Sequence, residues 1–257
     1  MAGRAARPAS IAIFVAVFSF NMLSSSREPA WGDAHGMWEV AEHLLTRQAI
    51  DISIRWPEDI PPGRNGKYYG IAPIGPSLVH LPGVALADLG HAVAPSYDPL
   101  VRPLATHLAP SALGALACVV FFLLLRDLGI RDRTASLATA MLACATTTWV
   151  YARYPYSEIL QLAGFVGLFR QVLCTADQPT RRHALGLGAW AGVLLNAKYV
   201  FAFAIIGGVV MLAWTLRNRR PELVRVLAWA AATGAPFAVL ALAYNWARWG
   251  SITRTGY

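Results

Sequence analysis

Long apolar runs alternate with short arginine-bearing segments along this 257-residue chain, interrupted once by a long mixed stretch near the start. A helix needs about 20 mostly apolar residues to cross a bilayer core of about 30 Å. Runs over 9–26, 105–125, 134–150, 157–174, 184–197, 199–216 and 223–246 meet or approach that length. They predict an all-α, polytopic membrane helix bundle of about seven transmembrane helices, in which 27–105 is a large first loop. A single domain accounts for 1–257, with no internal repeat or low-complexity tract.

Two segments test that division. Residues 76–94 are apolar enough to pass for a span, but counting them would move the Arg126–Arg133 cluster to the opposite side. Pro82, Gly83, His80, Asp88 and His91 suit an interfacial or half-inserted helix instead. Residues 184–216 as one helix would run about 50 Å, too long for the bilayer, so a break is expected at Asn196-Ala197-Lys198. Within the long loop, 35–49 has helical periodicity. Met37, Val40, Ala41, Leu44 and Leu45 fall on one face, and Glu39, Glu42, His43, Thr46 and Arg47 on the other. With Trp31, Trp38 and Trp56 around it, this helix is expected to lie in the membrane surface. The stretch from Trp56 to Gly66, rich in proline and glycine, reads as irregular turns.

Composition agrees with a membrane class: 56% hydrophobic, 14% charged, mean hydropathy +0.44. The net charge of +8 does not point to nucleic acid, because the arginines sit in short clusters between apolar runs. Arg4 and Arg7, Arg126 to Arg133, Arg181 and Arg182, and Arg217 to Arg225 occupy every second loop. The positive-inside rule then puts the N-terminus in the cytoplasm of an inner-membrane protein and the loop 27–105 outside. The first apolar run has no clear small-x-small cleavage site and reads as an uncleaved span. Cys118, Cys144 and Cys174 all fall in apolar runs and imply no disulfide framework.

Nine of the fourteen acidic residues lie within 27–105, which suggests chemistry at the outer face. Asp33 follows the first span directly. There it could take a proton from an acceptor hydroxyl, or simply cap the next helix. Glu158 opens the fourth span, where the helix dipole alone favours a carboxylate, although an ionisable group at membrane depth tends to face a cavity. Helix 184–197 rises only about 21 Å from its arginine anchor, which leaves Lys198 below the outer surface. A cation there suits a lipid-linked phosphate, or snorkels to the interface. Tyr68 and Tyr69, with Gly70 to Pro76, could offer aromatic faces to a sugar or serve as turn packing. His35, His43, His80, His91 and His107 show no ligand spacing, so no metal site is predicted.

Four stretches together resemble the N-terminal half of a GT-C-type integral membrane glycosyltransferase, of the bacterial branch similar to protein O-mannosyltransferases and aminoarabinose transferases. They are Asp33 with Trp38 and Ala41; Gly66-Lys67-Tyr68-Tyr69 running into Pro73–Ser77 and Leu81-Pro82; Thr148–Tyr151 through Tyr156-Ser157-Glu158; and Tyr244–Ser251 ending in Thr255-Gly256-Tyr257. The resemblance implies a polyprenyl-phosphate sugar donor and inverting transfer at the outer face, without a cofactor, although a divalent metal remains open. It casts Asp33 as the catalytic carboxylate. By position, Lys198 and Arg153 become candidates for the donor phosphate, with Glu158, Tyr68 and Tyr69 beside the substrate. Such enzymes continue with further spans, so the chain is expected to be an N-terminal portion or to rely on a partner subunit for the remainder. The alternatives are a non-catalytic protein that binds lipid-linked sugars and, less favoured because the charges gather at the outer edge, a transporter or flippase.

Overall fold

The computed structural model describes residues 3–25, 32–53 and 61–256, with side chains from Pro8 onward in the first of these. Trp31, Trp56, Glu28, Glu58, Asp59, the turn-rich segment before Pro61 and the side chains of Arg4 and Arg7 lie outside the described residues. The regular elements are helical. They are α1 (Gly3–Leu23), α2 (Asp33–Thr46), α3 (Ile74–Val93), α4 (Asp98–Asp127), α5 (Asp132–Cys144), α6 (Thr147–Ala152), α7 (Glu158–Asp177), α8 (Arg181–Ala197), α9 (Ala202–Thr215) and α10 (Arg220–Trp249). Among the described residues the one β pairing is an isolated antiparallel bridge between Ile52 and Tyr68.

Three segments, Pro95–Asp127, Glu158–Asp177 and Arg220–Trp249, are long and apolar enough to cross a membrane, while Pro8–Leu23 and Tyr199–Thr215 are shorter apolar helices. This is a membrane protein. Phe203, Ile206, Val210 and Trp214 on α9, and Val224, Val239 and Leu242 on α10, present exposed apolar surface compatible with lipid. The run 134–150, expected as one helix, is divided. α5 stops at Cys144, and Thr146 caps α6 by accepting the Thr148 N–H at 3.1 Å while its hydroxyl donates to the Leu142 carbonyl at 2.7 Å. Three consecutive threonines give the backbone side-chain partners that compete with a continuous helix.

Side-chain pairings fix the helix directions. Gly164 and Gly167 of α7 meet Leu194 and Trp190 of α8, so those two run antiparallel. Phe165 meets Phe201, and Val172 meets Gly208, so α9 runs parallel to α7. The chain therefore reverses direction across Lys198–Phe201, where Lys198 is extended (φ −164°, ψ 129°) and Tyr199–Phe201 forms a 3-10 turn. α10 returns alongside α8: Thr233 donates to the Leu185 carbonyl at 2.9 Å, and Asn196 Nδ2 to that of Phe237, also at 2.9 Å. Lipid is as apolar as leucine, so helices in a membrane associate by close packing more than by hydrophobic transfer. Gly188 serves that purpose, since a Cβ there would collide with the Ala230 carbonyl of α10. Leu168, Val172, Ala184, Leu187, Leu194, Leu212 and Val226 form the resulting core.

These directions gather the Arg126–Arg133, Arg181–Arg182 and Arg217–Arg225 clusters at one end, the arginine end. The other, the loop end, is covered by α2, α3 and the start of α4, which share a core of Trp38, Ala41, Val84, Ala87 and Ala105. Here α2 differs from expectation. Glu39 and His43 point inward and are buried, Trp38 is buried as well, and Leu45 is exposed. The chain after α2 folds back over this face: Ser53 N–H donates to Glu39 Oε1 at 2.7 Å, and His43 Nδ1 donates to the Asp51 carbonyl at 2.6 Å. Glu39 Oε1 and His43 Nδ1 are paired in this way, while Glu39 Oε2 is buried without a hydrogen-bond partner among the described residues.

Candidate functional site

At the loop end the four distant stretches meet. Gly32 precedes α2 at φ 58°, a conformation glycine adopts without strain, and Asp33 takes the first helical position with its side chain exposed. The N-cap role open to Asp33 falls to Gly32, which makes no side-chain cap. The next turn of α2, through Ala34 and Met37, packs on Ala72 and Tyr154. Asp33 thus adjoins the turn of α2 that packs on Ala72 and Tyr154.

A fully buried arginine ties in the fourth stretch. Arg248 Nη1 donates to the Gly70 carbonyl at 2.6 Å and the Ala72 carbonyl at 3.1 Å, and its Nη2 to Asn245 Oδ1 at 2.8 Å. Tyr199 Oη also donates to that Asn245 oxygen, at 2.9 Å, and the Tyr244 ring lies 4.1 Å beneath the guanidinium. Neutral acceptors and a π-face take the place of a counter-ion. The sequence places Asn245 and Arg248 in the Tyr244–Ser251 stretch but gives neither a role. The available signal was an ionisable residue in the last turn of an apolar span, where the helix dipole favours a cation.

The remaining candidates divide. The antiparallel register of α7 and α8 brings Glu158 and Lys198 to the loop end. Glu158 sits in the first turn of α7, half-buried, with Oε2 inaccessible and without a hydrogen-bond partner among the described residues. Arg153 is committed elsewhere: Nη1 donates to the Ser24 carbonyl at 2.6 Å and the guanidinium stacks 4.0 Å from the Trp149 ring, fastening α6 to the end of α1. Tyr68 and Tyr69 are also taken by packing, the reading set beside sugar stacking. Tyr68 joins the cluster of Val40, Ile52, Ile74 and Tyr244. Tyr69 meets Trp249 edge-on at 5.8 Å and donates to the Arg64 carbonyl at 3.3 Å, and burial raises its phenol above the usual value.

Several aromatic rings pack against one another at the loop end. Tyr154 lies 4.7 Å from Tyr156 and 6.2 Å from His107, while His80 faces Trp38 at 5.9 Å. Burial pushes His80 down to about 4, against the opposing hydrogen bond to the Pro155 backbone, so it is neutral at ordinary pH. Among the described residues no group of three or more His, Cys, Asp and Glu is placed to hold a metal ion.

Asp51 and Lys67 pair at 3.1 Å across the Ile52–Tyr68 bridge. Burial alone would raise the Asp51 carboxyl, but Lys67, the local backbone and His43 together hold it below its usual value. A depressed carboxylate contributes stability above its unfolded pKa of about 3.9, which is lost as pH falls through the folded value. Protection of the Ile52 amide, bonded to the Tyr68 carbonyl at 2.9 Å, should therefore fall below about pH 4. Hydrogen exchange corrected for intrinsic rates checks this, and Asp51→Asn should remove the dependence.

No known family, curated protein or solved structure matches the chain. The functional reading therefore rests on the geometry of the site itself.

Proposed function

We propose that this protein is a GT-C-like membrane glycosyltransferase that moves a sugar from a polyprenyl-phosphate donor to an acceptor at the outer membrane face. The observation that carries this reading is the meeting of four sequence-distant stretches at the loop end: Ala34 and Met37 on Ala72 and Tyr154, and Arg248 on Gly70 and Ala72. Asp33 is the general base. It takes the proton of an acceptor hydroxyl as that oxygen bonds to the anomeric carbon from the face opposite the donor oxygen. The bond from carbon to the donor phosphate oxygen breaks, and polyprenyl phosphate leaves with the electron pair. Lys198 neutralises charge growing on that phosphate, and Glu158 contributes to the sugar-facing wall.

In this reading the bundle has about seven spans, with the arginine end in the cytoplasm of an inner membrane. Gathering of the arginine clusters at one end supports that orientation. The purified protein, offered a panel of polyprenyl-phosphate sugars, should consume at least one of them in the presence of acceptor-bearing membrane extract. If none is consumed by correctly inserted protein, the reading fails and a non-catalytic binder of lipid-linked sugars takes its place. Lys198→Ala should raise the apparent KM for the donor roughly tenfold, the loss of one charge-assisted contact, without altering acceptor preference. An unchanged donor KM would remove Lys198 from the phosphate.

A further inference from the structure

Helices α7 and α9 enclose an apolar groove away from the loop-end site. It has a volume of about 240 Å³, and its lining includes Phe165, Phe169 and Val172 of α7 and Gly207, Gly208 and Met211 of α9. The two glycines shape it. A Cβ at Gly208 would come 3.0 Å from Val172, so its absence lets the helices close at that point. A Cβ at Gly207 would meet nothing within 4 Å, which leaves that side of the groove open. Phe165, Phe169, Gly207 and Met211 are exposed, so the groove faces outward and not into the bundle.

Depth and charge decide what fills it. The α7 wall, from Phe165 to Val172, occupies the middle of a helix long and apolar enough to cross a membrane. A hollow without polar lining does not hold water, so at that depth the filling is a hydrocarbon chain. Because α9 runs parallel to α7, following it past Met211 leads to the arginine end. Trp214 comes one turn later and is strongly exposed. Arg217 follows and is held in place: its guanidinium lies 4.7 Å from the Trp214 ring, and Nη1 donates to the Trp214 carbonyl at 3.1 Å. At about 1.5 Å per residue, Arg217 stands roughly 9 Å beyond Met211. An exposed indole with a cation just past it marks the membrane–water boundary, where a basic side chain attracts an anionic headgroup. A chain hung from a headgroup at that level runs back along α9 into the groove.

We propose that the α7–α9 groove holds an acyl chain of one anionic phospholipid, whose headgroup rests against Arg217 at the arginine end. The site is independent of the proposed transfer: a chain that moves no sugar would still retain the lipid.

The test uses the full chain, delipidated in a non-ionic detergent and titrated with dioleoyl phosphatidylglycerol or dioleoyl phosphatidylcholine, with native mass spectrometry as the readout. One phosphatidylglycerol should be retained about fivefold more tightly than phosphatidylcholine, the gain from one basic side chain beside an anionic headgroup. Arg217→Gln should erase that preference. Gly207→Leu, whose side chain enters open space, should weaken both lipids at least tenfold while the delipidated protein stays as stable as the parent. Ala235→Leu, which adds bulk at an exposed position of α10, should leave binding unchanged. Equal binding of the two phospholipids, or undiminished binding by Gly207→Leu, would mean that lipid only coats the helices without a site, and the proposal is overturned.

Discussion

Asp33→Asn is expected to reduce sugar transfer by about 10²- to 10⁴-fold, the range that a positioned general base supplies. The substitution keeps the size of the side chain and removes its ability to accept a proton. Asp33 is exposed and does not cap α2, so the exchange should leave helix and insertion intact. Donor KM should change little, because the lost interaction acts on the acceptor proton in the transition state. Transfer measured on protein confirmed as inserted, by protease protection of the loops, decides the matter. Undiminished transfer would dismiss Asp33 as the base.

Arg248→Met is expected to destabilise the protein more than Asp33→Asn or Lys198→Ala. It would strip donors from the Gly70 and Ala72 carbonyls and from Asn245 Oδ1 at the junction of α10 with the 70–76 segment. Asn245 Oδ1 keeps the Tyr199 hydroxyl, so two acceptors lose their donor; at about 1–3 kcal/mol each, a loss of at least about 2 kcal/mol is expected. Thermal unfolding in detergent should show a clear drop in Tm. Arg248→Lys should recover only part of it, because an ammonium cannot span acceptors that a planar fork reaches together. A Met variant as stable as the parent would show that the network contributes nothing.

What could be read from the chain depended on whether a feature was local. Apolar runs identified the helical class, and the length limit on 184–216 located the reversal at Lys198, since both follow from spacing alone. A helix over 76–94 was likewise legible, and α3 covers that stretch. The inward face of α2 was not. Glu39 and His43 look solvent-facing until Ser53 and Asp51 fold back to pair with them. The division at Ala145 depended on hydroxyl bonds that hydropathy does not register. Arg153 drew attention for its charge and its position, yet its partners are Ser24, at the end of α1, and Trp149 on α6. At the site, Asp33 was visible because it adjoins an apolar run, whereas Arg248 acquires meaning only once residues 70 and 72 arrive beside it.

Collecting the guanidinium groups at one rim also bears on how the molecule is retained in a polarised bilayer. Carrying one elementary charge against a potential of 100 mV takes about 2.3 kcal/mol, before any cost of dehydration. Overturning the bundle would have to move every one of those groups together. In the proposed orientation such an inversion would be opposed by every one of those charges at once, and a population with mixed sidedness is not expected.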